Sequence, residues 1–252
     1  MLPLKDDIPT RRLPIVTIAL IAINVIVYFV FEHGLWSLGD FGNQRVVEYG
    51  AIPLELTHSG TECVDVAANQ IQCGTDIGSG YAPAWITVFT SMFLHGSLLH
   101  LGGNMLFLWI FGNNIEDSMN RAVFAGFYLL GGLAAIGLHV VADANSAVPT
   151  VGASGAIAGV LGAYARLYPR ARVVTLIFIV IIVTVVTLPA VLVLGVWFLL
   201  QLLPAFSDPT GAGGGVAYTA HVGGFLFGLL AIKLFANNVH EDYESAHRTP
   251  VY

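Results

Sequence analysis

The chain has 252 residues, of which 56% are hydrophobic and only 10% are charged, and its mean hydropathy is +0.77. Soluble proteins have about 25% charged residues, so this composition excludes an ordinary soluble domain and indicates a protein that spans a membrane. Ten Lys and Arg residues against 16 Asp and Glu residues leave no excess of basic charge with which to bind nucleic acid.

Apolar runs of about 20 residues, long enough to cross the hydrocarbon core of a bilayer, predict six membrane-spanning helices. The second run must hold a loop as well as a helix, and the fourth is short and rich in Gly and Ala. A β-branched stretch, Val173–Thr187, is expected to lie at the inner interface or to dip into it. The predicted spans are Leu13–Phe31, a part of Trp85–Ile115, Ala122–Ala142, Val151–Leu167, about Leu188–Phe206, and Val216–Ala236.

A secretory signal peptide is the competing interpretation of the first run. That run is longer than a usual signal-peptide core, and no small-residue cleavage site follows Phe31, which favours a retained helix. Alternating strands of about ten residues, typical of membrane β-barrels, are absent from the sequence. The predicted fold is therefore an all-α membrane bundle.

The distribution of Lys and Arg predicts the orientation of this bundle. With the N-terminus inside, six spans place nine of the ten basic residues on the inner side, and only Arg45 outside. Residues 1–12 and 237–252 then form cytoplasmic segments around a membrane domain, 13–236, whose external loop covers about 33–84. The expected location is a bacterial inner membrane.

The external loop contains the only two cysteines of the sequence, Cys63 and Cys73. Their separation permits a small loop closed by a disulfide in an oxidising compartment. Two free thiols are the alternative, and two thiols alone do not predict a metal site.

Four polar residues within the predicted spans are candidates for function: His100, Asn104, Ser154 and His221. Polar side chains are costly in a membrane, so they often mark a functional site. Each one alone could instead form a hydrogen bond to a neighbouring helix. His139, near the end of the third span, is expected to be structural or exposed.

The surroundings of these residues indicate a nucleophile and a base. Ser154 opens a helix, where free backbone N–H groups favour developing negative charge. Small residues on the fourth helix and glycines after His221 would let the two backbones approach, so that the hydroxyl reaches the imidazole. His100 and Asn104 share one helix face and could donate to an oxyanion. No acid is expected near His221, which predicts a Ser-His dyad with the imidazole oriented by packing.

Three blocks of sequence resemble the rhomboid family of intramembrane serine proteases. They are His95–Asn104 (HGSLLHLGGN), Gly152–Gly155 (GASG) and Ala220–Gly224 (AHVGG) with Gly228 beyond it. Their order and the six predicted spans resemble the bacterial type of this family over about residues 13–236, with the serine on a short fourth helix. Two departures are the enlarged loop around the cysteines and Ile86-Thr87, which stand where many relatives have a Trp-Arg pair.

The resemblance implies a serine endopeptidase that cleaves transmembrane protein substrates in or next to their membrane segments. It implies that Ser154 is the nucleophile, His221 the general base, and His100 and Asn104 the residues that stabilise the oxyanion. It further implies structural roles for His95 and Glu116, and a flexible cap formed by Phe206–Thr219. No cofactor and no metal are implied, and the partners are membrane lipid and substrate proteins.

Two other functional classes remain open at this point. A transporter or proton-coupled channel would also need intramembrane His and Asn residues and helices interrupted by glycine, although no internal repeat is visible in the sequence. A non-catalytic relative that binds membrane clients is the other class, and such proteins usually lack the serine or the histidine.

Overall fold

The computed structural model describes residues 1–33, 42–67, 70–75, 77–179, 182–207 and 216–237. The membrane-embedded part is built from long apolar helices. The helices are α1 (Ile15–Ile26, continued by a π-helical segment Val27–Glu32), α2 (Gly42–Tyr49), α3 (Pro53–Thr57), α4 (Ala84–Thr90, with a 3-10 turn Ser91–Phe93), α5 (Leu98–Phe107, with a π-helical segment Leu108–Gly112), α6 (Asn113–Asp117), α7 (Arg121–Ala142), α8 (Ser154–Leu167), α9 (Ala190–Ser207) and α10 (Tyr218–Phe235). The strands are β1 (Leu2–Asp6), β2 (Thr61–Ala67), β3 (Gln70–Thr75), β4 (Arg172–Ile179) and β5 (Ile182–Pro189).

The helices give four candidate membrane spans by length and composition within the described ranges. These are Ile15–Glu32, Arg121–Ala142, Ala190–Ser207 and Tyr218–Phe235. A fifth is obtained if Ala84–Phe93 and Leu98–Asp117 form one broken span, in which the helix direction bends by 77° between the two parts. The predicted number of six is not confirmed, since α8 has only 14 residues.

Helix α8 is the centre of the bundle, because its small residues allow neighbours to approach from several sides. All ten residues from Gly155 to Tyr164 are buried. A Cβ atom on Gly224 or Gly228 of α10 would overlap the carbonyl oxygens of Gly155 and Gly159 of α8, respectively. Glycine at these positions therefore brings the two helix backbones into direct contact.

Within the described residues, two β-sheets lie outside this helical core, so the prediction of an all-α fold was wrong in two regions. The β-branched stretch Val173–Thr187 forms the antiparallel pair β4–β5, and β1 adds to β4 to give the order β1-β4-β5. Val173 and Thr175 are buried, whereas Val183 and Val185 of β5 are more than half exposed. Alternation of this kind is typical of a sheet that packs on one face only. We call the end of the bundle that carries this sheet the sheet end.

The second sheet is the hairpin β2–β3, in which Cys63 pairs with Cys73. The two residues form a disulfide, which is the pairing that their spacing permits. The hairpin and α2–α3 pack near the segment that leads into α8, where Ala51 forms a β-bridge with Thr150. We call this end of the bundle the serine end, because α8 begins here.

At the sheet end, two acids of α6 hold the start of the first long helix. The carboxylate of Glu116 accepts hydrogen bonds from the backbone N–H groups of Val16 and Thr17, at 3.0 and 2.8 Å, and from the Thr17 hydroxyl. Asp117 accepts from the Arg12 guanidinium at 3.1 Å. These bonds satisfy N–H groups that a helix cannot satisfy by itself and fix the first long helix against α6.

Candidate active site

Ser154 is the first residue of α8, and its hydroxyl points toward α10. The distance from Ser154 Oγ to Nε2 of His221 is 2.7 Å, which is a hydrogen bond. The glycine contacts between α8 and α10 bring the two residues together, although they are 67 positions apart in the sequence. A hydroxyl bonded to an imidazole is the arrangement that activates a serine nucleophile.

Gly152, two residues before the serine, shapes the approach to this site. Its φ angle is +121°, a conformation that side-chain-bearing residues rarely adopt. A Cβ atom there would lie 2.7–2.8 Å from the imidazole of His100. Glycine is therefore required both by the backbone turn and by the closeness of His100.

His100 and Asn104 lie one turn apart on α5 and line the same cavity as Ser154. The Asn104 side chain is also bonded to a histidine outside that turn, because its Nδ2 lies 2.9 Å from Nε2 of His95. The backbone N–H of His95 donates in turn to both carboxylate oxygens of Glu32, at 3.1 Å each. One N–H of the Asn104 amide is thus committed to His95, while the residue also lines the cavity.

The other nitrogen of the His221 ring has a partner that the sequence did not predict. Nδ1 of His221 lies 2.8 Å from Oε1 of Gln201 on α9, and the Trp197 ring, one turn earlier on α9, lies 5.9 Å from the imidazole. The imidazole is therefore held by a side chain as well as by packing, which corrects the expectation of packing alone. The available signal was a single amide within the apolar run of α9.

The four candidate residues and Gln201 surround one cavity of about 560 Å³. Its remaining walls are largely apolar and include Phe107, Ile157, Leu161 and Trp197. A concave apolar pocket with a few convergent polar groups is typical of a catalytic or binding site.

His139, which was expected to be structural or exposed, is fully buried. Its Nδ1 lies 2.7 Å from the hydroxyl of Thr219, so it ties α7 to α10 near the site. The glycine run of the expected cap, 211–215, lies outside the described residues, as does the tail from residue 238 onward.

Neither ring nitrogen of His221 bonds a carboxylate, since they lie against Ser154 and Gln201. Within the ranges that the structure describes, no group of three or more His, Cys, Asp or Glu residues is placed to hold a metal ion. The chemistry available to the described site is that of a hydroxyl, an imidazole and neutral hydrogen-bond donors.

Comparison with known proteins gives a family match over the region that contains the site. A family model described as a rhomboid domain matches residues 82–238, which is more than half of the chain. The chain is 31% identical over 156 residues to Rhomboid protein 1, mitochondrial, of Saccharomyces cerevisiae, an alignment that covers 60% of this chain and 42% of that protein. It is 27% identical over 150 residues to the rhomboid protease GluP of Bacillus subtilis, with 60% and 24% covered. The aligned part is thus less than half the length of either relative.

Proposed function

The chain belongs to the rhomboid family, and we propose that it is an intramembrane serine endopeptidase that uses Ser154 and His221 as a catalytic dyad. The observation that carries this proposal is the 2.7 Å contact between Ser154 Oγ and His221 Nε2 at the edge of a cavity. The word protease in the name of the Bacillus relative supports the same reaction class. The family match alone does not assign a catalytic role to any residue.

The proposed reaction is acyl transfer followed by hydrolysis. His221 Nε2 takes the proton of Ser154 Oγ as the oxygen attacks the scissile carbonyl carbon, and the imidazolium then gives that proton to the leaving amine. In the second half, His221 takes a proton from water, the resulting hydroxide attacks the acyl carbon, and Ser154 regains its hydrogen. The products are a new carboxyl group and a new amino group.

The negative oxygen of each tetrahedral intermediate needs donors that are already in place. We assign this role to the backbone N–H of Ser154 at the start of α8, to the His100 imidazole and to the second N–H of the Asn104 amide. The hydrogen bond between Asn104 and His95 supports this assignment, because it restricts how the amide can turn.

Water must reach the acyl-enzyme, and the length of α8 provides a route. Fourteen residues span about 21 Å of helix, which is less than the ~30 Å hydrocarbon core. If the C-terminal end of α8 lies at one membrane surface, its N-terminal end lies below the opposite membrane surface. The cavity between Ser154 and that opposite surface would then be open to water. We therefore propose a six-segment bundle in which α8 is the short fourth segment.

The orientation and the partners are part of the same proposal. The N-terminus and the sheet end face the cytoplasm, and the β2–β3 hairpin, with its disulfide between Cys63 and Cys73, faces the oxidising side. A bacterial inner membrane satisfies both conditions. The substrates are proteins with a transmembrane segment, which would approach the cavity from lipid.

The test is cleavage of a panel of single-span proteins in liposomes. Ser154→Ala and His221→Ala should each abolish cleavage while the protein remains folded. Matched controls are Ser118→Ala at the sheet end and His58→Ala on the exposed surface, which should cleave like the wild type. Turnover retained by either site variant contradicts the dyad.

Covalent labelling distinguishes a serine protease from a transporter or channel and from a non-catalytic protein that binds membrane clients. A fluorophosphonate should label the wild type at Ser154 and leave Ser154→Ala unlabelled, because only an activated serine attacks phosphorus readily. A folded wild-type protein that is neither labelled nor active would contradict the proposal and favour a client-binding or transport function.

A further inference from the structure

The Gln201 side-chain amide forms two hydrogen bonds, and the first of them fixes its orientation. The amide nitrogen of Gln201 lies 3.3 Å from the backbone carbonyl oxygen of Trp197, one turn earlier on α9, and donates to it. A carbonyl oxygen only accepts, so this bond determines which end of the amide is the nitrogen. The amide oxygen, Oε1, is therefore the end that lies 2.8 Å from Nδ1 of His221.

The orientation of the amide selects one tautomer of His221. An amide oxygen only accepts, so Nδ1 must carry the hydrogen, and a neutral imidazole then has none on Nε2. The unprotonated Nε2 is the atom that lies 2.7 Å from Ser154 Oγ. A serine hydroxyl can lose its proton only to a ring nitrogen that is free to accept it.

On this basis we propose that Gln201 is a positioning residue that holds His221 in the tautomer required of the general base. This inference rests on the proposed protease function and adds a third member, on α9, to the dyad formed by α8 and α10. The role corresponds to that of the buried aspartate in serine protease triads, with a neutral amide in its place. A neutral group suits a site within a membrane, because it places no uncompensated charge in the resting enzyme.

The position of Gln201 gives this role a structural basis. The residue is partly buried and lines the cavity, whereas Leu199 and Leu200 beside it are more than half exposed. Gln201 thus lies on the inward face of α9. An amide on this face needs hydrogen-bond partners, and His221 and Trp197 supply them.

The test compares Gln201→Leu, which keeps the approximate volume but removes the acceptor, with Gln201→Glu, which keeps an oxygen beside Nδ1 in either protonation state. Gln201→Leu should lower kcat about ten- to a hundredfold with KM changed less than about twofold, because the imidazole loses its preferred tautomer but the substrate site does not change. Gln201→Glu should recover most of the activity. Leu200→Ala, on the exposed face of the same helix, is the matched control and should behave like the wild type.

A second measurement reads the tautomer without any turnover. Nitrogen-15 NMR of protein labelled at histidine, with the His221 signals identified by their loss in His221→Ala, should show hydrogen on Nδ1 in the wild type. A population with hydrogen on Nε2 should appear in Gln201→Leu. A role of Gln201 in packing alone would lower the unfolding temperature without changing this population.

The outcomes separate the two proposals. Wild-type kcat in Gln201→Leu, equal impairment in Gln201→Glu, or an unchanged tautomer overturns the role of Gln201. If Gln201→Leu does not fold, Gln201→Met, with its unbranched side chain, is judged by the same criteria. If the wild type neither cleaves nor labels, the protease function fails, and the NMR comparison still decides whether Gln201 sets the tautomer.

Discussion

Replacement of Gly228 by Ala tests whether the contact between α8 and α10 assembles the site. The added Cβ would overlap the carbonyl oxygen of Gly159 and lie 2.7 Å from its carbonyl carbon and 2.9 Å from the amide nitrogen of Ala163. All three are backbone atoms, so no side chain can turn away. Non-bonded carbon atoms pack at about 3.5–4.0 Å, and the two helices must therefore separate locally by about 1 Å.

This separation is expected to lower both the free energy of unfolding and the rate of turnover. Overpacking of this kind lowers the free energy of unfolding by about 1–3 kcal/mol, of which the better helix propensity of Ala offsets at most about 1 kcal/mol. His221 lies two turns before Gly228 on α10, and its 2.7 Å hydrogen bond to Ser154 would lengthen. A misplacement of about 1 Å is expected to reduce turnover about a hundredfold.

The assay is thermal unfolding in detergent together with turnover of a single-span substrate in liposomes. Gly126→Ala on α7 is the matched control, since a Cβ atom there meets nothing within 4 Å, and it should lose neither stability nor activity. The reasoning is refuted if Gly228→Ala unfolds at the wild-type temperature and cleaves at the wild-type rate.

Three further predictions concern other parts of the molecule. Asn104→Ala should lower turnover about ten- to a thousandfold through the loss of an oxyanion donor, and an unchanged rate would remove Asn104 from that role. Replacing both Cys63 and Cys73 by Ala should destabilise the β2–β3 hairpin by about 2–3 kcal/mol, measured as faster hydrogen exchange over 61–75; unchanged exchange would contradict this. Burial raises the pKa of Asp6 from 3.8 to about 6, so its contribution to stability is present below about pH 4 and is lost as the pH rises through 6, on the order of 3 kcal/mol. Asp6→Asn should remove this dependence from the unfolding temperature between pH 4 and 7, and a wild-type slope in that variant would refute the assignment.

Much of the helical bundle was predictable because a helix that crosses a bilayer needs a run of about 20 apolar residues, which is visible in the sequence. The helix Arg121–Ala142 agrees with the predicted span within one residue at its start. The strands were not predictable by the same reasoning. Val173–Thr187 is apolar and β-branched, a composition equally typical of a buried strand and of a membrane segment, and its partner Leu2–Asp6 is too short to show a period.

The candidate site was predictable only in part, for reasons of geometry. Gly155, Gly224 and Gly228 are spaced for close helix contact, so the meeting of α8 and α10 could be inferred from spacing. Gln201 offers no such pattern, because one amide in an apolar run does not indicate which helix it faces. The bond between Asn104 and His95 was equally hidden, since it crosses the turn before α5 rather than following the helical period.

The pairing of β1 with β4 has a consequence for the order in which the protein is assembled. Leu2 lies opposite Leu176, and Asp6 lies opposite Val173, so β1 is synthesised well before its partner β4, which is made only after α8. The sheet can close only when most of the helices have been inserted, and contacts so distant along the chain form late and slowly. Until then β1 has open hydrogen-bonding edges, and a nascent chain halted before β4 would present it to chaperones and proteases.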